Sequence, residues 1–172
     1  MLNYRDYLSY SEKYIQLAEQ ESRDKLKFLI PSVVLSWTAI ESFVNNIMDD
    51  FSSLPDDLFE LYERGLLLEK KVVFVDSGNN MGKFKLDQTE YRRIDEKILF
   101  LIAKFSNLNK PYKGETLWQN FEDLWDTRNK ILHPRRSTEL KLTIEKAYKY
   151  LEISKNIIQF VSINVWHKEI SF

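Results

Sequence analysis

The stretch Trp125-Asp126-Thr127-Arg128-Asn129-Lys130-Ile131-Leu132-His133-Pro134 decides how the rest of the chain is read. At about 100° per residue on a helical projection, Leu117, Phe121, Leu124 and Ile131 share one apolar stripe, with Trp118, Trp125 and Leu132 beside it. Arg128 lands inside that stripe. An unpaired charge in a hydrophobic seam is costly, so this guanidinium requires a carboxylate, a water-filled cleft or an anionic ligand. Pro134 disfavours the α conformation at the residue before it, which ends the helix at or just before His133. In an unbroken helix Arg128 and His133 would diverge by roughly 140°. Breaking it frees the imidazole to swing inward. A permanent cation, the amide of Asn129 and an imidazole, at the rim of an apolar seam, are residue types able to hold a phosphate and move protons near neutral pH.

Outward from this stretch, residues 31–51 read as a second, central helix. Val33, Trp37, Ile40, Val44, Ile47 and Phe51 form one face, while Leu35 and Phe43 add apolar surface on others, the pattern of a helix buried by more than one neighbour. Glu41 sits at the edge of the main face, flanked on the projection by Val34 and Met48. Each of the two most apolar helices thus carries one opposite charge in its apolar arc, and Glu41 is expected to approach and fix Arg128.

The remaining elements follow from local signals. Tyr4, Leu8, Ser11, Ile15 and Ala18 predict a first amphipathic helix over about 2–28, with Pro31 opening the second. Ser53-Leu54-Pro55-Asp56-Asp57 starts a short third helix that Gly65 ends. Lys71-Val72-Val73-Phe74-Val75-Asp76 and Lys83-Phe84-Lys85-Leu86, either side of Gly78 and Gly82, are compatible with a small β-hairpin. Asp87 and Glu90 cap a helix through Tyr91, Ile94, Ile98, Leu101, Ile102 and Phe105. Thr116-Leu117-Trp118-Gln119 fits a capping box, so the helix of the opening stretch spans about 116–132. A last helix covers about 138–166, with Leu140, Ile144, Ala147, Leu151, Ile158 and Val165 as its stripe. The doublet Arg92-Arg93 reads as solvated charge.

A length of 172 residues suits one domain, and 44% hydrophobic with 30% charged residues suits a globular one. The net charge of −1 argues against a broad nucleic-acid footprint and leaves a local basic cluster, Arg128, Lys130, Arg135 and Arg136, as the candidate substrate contact. The absence of cysteine excludes disulfides, zinc–thiolate sites and cysteine nucleophiles, and two histidines far apart make a histidine-rich metal site unexpected. No metal or cofactor is expected. The amino end lacks the features of a signal peptide. The greasy stretch 28–40, interrupted by Pro31 and Ser32, is too short to span a bilayer, so a cytoplasmic protein without membrane contact is expected.

Arg128-Asn129-Lys130-Ile131-Leu132-His133, closing a helix and followed by a long final helix, resembles the motif of HEPN domains (higher eukaryotes and prokaryotes nucleotide-binding). Trp37 to Ile47 is similar to the second helix of such domains, whereas residues 54–114 match no part of them and read as an insertion. The resemblance implies an all-α, single-domain helical bundle, here of about five to six helices over residues 1–172, to which the residues themselves add the small β-hairpin as an option. It also implies a homodimer in which two motifs meet. Many members with this motif are metal-independent endoribonucleases of toxin, antiphage or RNA-processing systems. By that resemblance His133 is the general base or acid, Arg128 stabilises the phosphorane and Asn129 orients phosphate or imidazole. RNA is cleaved by its own 2′-hydroxyl to leave a 2′,3′-cyclic phosphate. An antitoxin or a nucleotidyltransferase is the kind of protein partner implied. Two other readings stand beside it: a catalytically silent nucleotide- or partner-binding module, and a structural helical dimer in which Arg128 and Glu41 only fix helix register.

Overall fold

In a computed structural model of the protein, residues 2–106, 114–134 and 139–172 are described. In chain order they form α1 (Tyr4–Gln20), α2 (Leu26–Ser52), a single 3-10 turn (Asp56–Leu58), α3 (Leu61–Leu67), β1 (Lys70–Phe74), β2 (Phe84–Thr89), α4 (Ile94–Phe105), α5 (Thr116–Leu132) and α6 (Ile144–Trp166). The architecture is therefore helical with one two-stranded antiparallel hairpin.

The first correction to the sequence reading falls at the α1–α2 junction. α1 stops at Gln20, and α2 begins at Leu26, so Pro31 lies inside α2 rather than opening it. Glu21 makes the turn: one carboxylate oxygen accepts the Arg23 N–H at 3.0 Å and the other takes Lys27 Nζ at 2.5 Å. A proline within a helix removes one hydrogen bond and costs about 3 kcal/mol. Full burial of an aliphatic side chain contributes about 1.5–3 kcal/mol, and Leu29 and Val33, on either side of Pro31, are both buried. Packing outweighs the local penalty, and the helix runs through.

α2 is the core helix. Val33, Trp37, Ile40, Val44 and Ile47 are buried, and the helix packs against α1, α5, α6, α3 and α4. Its 27 residues are long and apolar enough to cross a membrane by length and composition alone, which corrects the estimate made from residues 28–40; half of its most apolar window lies inside the fold. α1 approaches closely because small hydroxyls meet there. Ser11 Oγ donates to the Ser32 carbonyl at 2.9 Å and lies 2.8 Å from Ser36 Oγ, so the buried polar groups are satisfied.

Gly65 does not terminate the third helix but sits within α3. A Cβ there would stand 2.9 Å from both the Lys70 carbonyl oxygen and Val72 Cγ2, so the glycine lets β1 lie against α3. The hairpin pairs Val72 with Leu86 and Phe74 with Phe84. β2 continues to Thr89, and the Glu90 N–H reaches the Glu69 carbonyl at 2.7 Å. That extended backbone is why Asp87 and Glu90 do not open the next helix as their spacing suggested. α4 starts instead at Ile94, where the Arg93 N–H donates to Glu96 Oε2 at 3.3 Å.

α5 has the predicted bounds but not the predicted cap: Glu115, not Thr116, precedes its first turn, and no side chain caps it. α6 begins later than 138, a position outside the described residues, with Thr143 Oγ1 accepting the Lys146 N–H at 3.2 Å.

Candidate functional site

α5 presents Trp118, Phe121, Leu124 and Thr127 to the core. The indole of Trp37 on α2 stacks on Phe121 at 5.2 Å between ring centres and on Trp125 at 6.2 Å. This aromatic seam fixes the rotation of α5 and so the place of Arg128. The Arg128 guanidinium carbon lies 5.9 Å from the centre of the Trp37 ring, a cation–π arrangement. Nη1 donates to Asn129 Oδ1 at 3.0 Å, and Nη2 stands 3.6 Å from Glu41 Oε1. Glu41 and Arg128 thus meet as expected, but as an ion pair too long for a hydrogen bond. Their side chains remain 31% and 24% exposed, so the pair occupies the rim of the seam rather than its floor.

His133 caps the carboxyl end of α5 with φ −127° and ψ 61°. Its N–H completes the last helical turn to the Asn129 carbonyl at 2.8 Å. The helix therefore ends just before His133, as Pro134 predicts, but the imidazole stays exposed instead of swinging inward. Lys130 is exposed on the same turn, and Arg135 and Arg136 lie outside the described residues. The structure brings together Glu41, Arg128 and Asn129. It leaves His133 facing solvent just beyond them.

A cleft of about 160 Å³ opens between Trp37 and Glu41 of α2, Trp125 and Arg128 of α5, and residues 92–95 leading into α4. Arg93 forms one wall: its guanidinium holds Asp95 through two hydrogen bonds, of 3.0 and 2.9 Å, and lies 4.2 Å over the Trp125 ring. Arg92 pairs with Glu90. The reading of this doublet as ordinary solvated charge missed its place in the cleft. Nothing local could have revealed it, because only the pairing of β2 with β1 carries residues 92–95 across to α5. A larger groove of about 600 Å³ adjoins, sharing Glu41, Arg92 and Ile94. In it the buried Lys97 is held by Glu69 Oε1 at 2.6 Å and Asn45 Oδ1 at 2.8 Å. Glu69 reaches it from a left-handed backbone, φ 49°.

Behind the seam, the Thr127 hydroxyl lies 2.6 Å from the Tyr150 oxygen, and the Tyr150 hydroxyl donates to Asp123 Oδ2 at 3.0 Å. Burial, more than any neighbour, pushes the Tyr150 phenol above its ordinary value. Glu122 accepts the Trp118 Nε1–H at 3.0 Å. Two of the three carboxylates on this helix are thereby committed to positioning α5.

Compared with known protein families, curated proteins and solved structures, the chain matches none.

Proposed function

We propose that the chain is a HEPN-type helical bundle and a metal-independent endoribonuclease. The observation that carries this reading is Arg128, a guanidinium set against Trp37 in an apolar seam, loosely paired to Glu41 and still partly open to a ligand. The pair stops at 3.6 Å, beyond hydrogen-bond distance, which leaves the guanidinium available to an anionic ligand.

In the proposed reaction the His133 imidazole takes the proton of a ribose 2′-hydroxyl, and that oxygen attacks the adjacent phosphorus. The bond from phosphorus to the 5′-oxygen breaks, and a protonated imidazole returns a proton to the leaving oxygen. Products are a 2′,3′-cyclic phosphate and a 5′-hydroxyl. Arg128 stabilises the charge on the phosphorane oxygens, and Asn129, already bonded to it, holds the guanidinium or the phosphate in place. Glu41 keeps Arg128 aimed, and Lys130, Arg135 and Arg136 supply phosphate contacts along the strand. The nucleophile belongs to the RNA, so no bound water has to be activated.

An exposed imidazole beside the 43%-exposed Leu132 favours a second copy of the chain covering this end of α5. A homodimer with the two motifs opposed is therefore part of the proposal, as is action in the cytoplasm within a toxin or antiphage system. The test is incubation of RNA with purified wild type, Arg128→Ala and His133→Ala, with and without EDTA. Wild type should release cyclic phosphate ends in both conditions, and neither variant should. Cleavage that survives His133→Ala, or that stops with chelator, overturns the mechanism; binding of RNA without turnover assigns the silent binding module instead.

A further inference from the structure

Among the described residues, three buried side-chain nitrogens find no hydrogen-bond partner: Trp37 Nε1, Arg92 Nε and Arg128 Nε. All three residues line the same cleft between α2, α5 and the approach to α4. A buried donor without an acceptor is expensive, more so on a charged group, and each such group in a folded protein calls for an explanation. The three residues come from separate elements and share this one cleft, so a ligand that only accepts hydrogen bonds is an explanation common to all of them.

The chain's own acceptors do not fill that role. Asp95 is held twice over by Arg93, and Glu90 engages Arg92 through Nη2 alone. Glu41 remains beyond hydrogen-bond distance of Arg128. Two guanidiniums facing one small cleft also repel each other unless an anion lies between them. We propose that this cleft is a phosphate subsite, that Arg92 is a substrate-binding residue acting beside Arg128, and that the occupant is a phosphodiester of single-stranded RNA.

A phosphodiester has no proton to donate and offers oxygens in several directions, which suits donors arriving from different elements; guanidiniums match it with their planar forks. Both arginine heads are partly exposed, and they turn on flexible stems to present Nε as the ligand enters. The adjoining groove explains why the ligand is a strand rather than a free ion. Its wall carries Glu41, Asp49 and Glu69 against Arg92 and Lys97. Lys97 is already held by Glu69, so among the described residues no cation there is free for a second phosphate beyond Arg92, while Tyr91, 84% exposed, offers an aromatic face. An uncharged base and ribose fit that environment, and stacking on an aromatic ring is tolerant of sequence. The identity of the ligand rests on the ribonuclease reading; the set of unmatched donors does not.

The test uses the full chain carrying His133→Ala and a 2′-O-methyl RNA oligonucleotide, which lacks the attacking hydroxyl. Binding is followed by fluorescence anisotropy over a range of salt, and the Trp37 indole N–H by NMR with the oligonucleotide or with inorganic phosphate. Adding Arg92→Ala should weaken oligonucleotide binding about tenfold and reduce the salt slope by about 0.7, one phosphate contact on a single strand. Arg92→Lys should restore the slope but not the affinity, because an ammonium lacks the fork. Lys141→Ala, which removes an exposed charge outside the cleft, should change neither. Unchanged binding by Arg92→Ala overturns the subsite, and so does an equal loss with Lys141→Ala. If Arg92→Ala does not fold, undiminished affinity in Arg92→Lys overturns it. An indole shift with inorganic phosphate but none with the oligonucleotide overturns the assignment to RNA. Wild type that binds through Arg92 yet never cleaves sinks the nuclease reading and leaves the subsite standing; cleavage with binding indifferent to Arg92 does the reverse.

Discussion

At the position of Arg128 two physical demands meet. Its neighbours on α5 belong to the core, and its charge does not; the compromise is a guanidinium stacked over Trp37 with its head at the rim. An ion pair this open to solvent contributes little to stability, typically about 0.2–1 kcal/mol. Urea unfolding of Arg128→Ala, Glu41→Gln and the double variant should therefore give a coupling energy within about 1 kcal/mol. A coupling of several kcal/mol would recast the pair as structural. Tyr150 is the opposite case, because its hydroxyl is buried between Thr127 and Asp123. Tyr150→Phe should cost about 1–2 kcal/mol at neutral pH, since both partners lose their bond. Burial raises the folded phenol above its unfolded value of 10.0, so the fold holds this proton more tightly than the unfolded chain does. That contribution is complete below the unfolded value and is lost as pH rises through the folded one. Melting curves of wild type and Tyr150→Phe should accordingly draw together at alkaline pH.

At the level of single elements, hydrophobic spacing was a sound guide to where helices lie and local punctuation a poor guide to where they end. α5 keeps its predicted span because its stripe and the Pro134 stop agree. Pro31 and Gly65 look like boundaries and are both interior to helices, one overruled by burial of its neighbours and the other needed for contact with β1. Gly65 carries a direct prediction. Gly65→Ala forces a methyl group to within 2.9 Å of the Lys70 carbonyl oxygen, and should destabilise the protein by about 1–3 kcal/mol, read from the urea midpoint. If Gly65 were an ordinary interior helical residue without the close approach of β1, alanine there would be neutral or stabilising.

Across the whole molecule, α2 organises one hydrophobic cluster to which α1, α4, α5 and α6 contribute, whereas the hairpin packs chiefly on α3. Phe74 and Phe84, 57% and 61% exposed, cover each other more than they cover the core. Local stability follows buried contacts, so native-state hydrogen exchange should release the β1–β2 amides well before those in the middle of α2. Equal protection in both would mean that the hairpin belongs to the same cooperative unit. The candidate site lies where these regions join. Trp37 and Glu41, Arg92 and Arg93, and Trp125 and Arg128 come from three separated parts of the chain.

The sequence alone determined the helical class, the central place of α2, and the meeting of Glu41 with Arg128, because periodic apolar faces must be buried and opposite charges among them must pair; it was compatible with the hairpin without requiring it. It could not show that Arg92 and Arg93 wall the same cleft. Their surroundings are set by β-pairing and helix packing between residues far apart in the chain, which no local pattern encodes. The structure also shows what the sequence did not, that the His133 imidazole is exposed where the backbone leaves the helical conformation, since among the described residues no element packs over that end of α5.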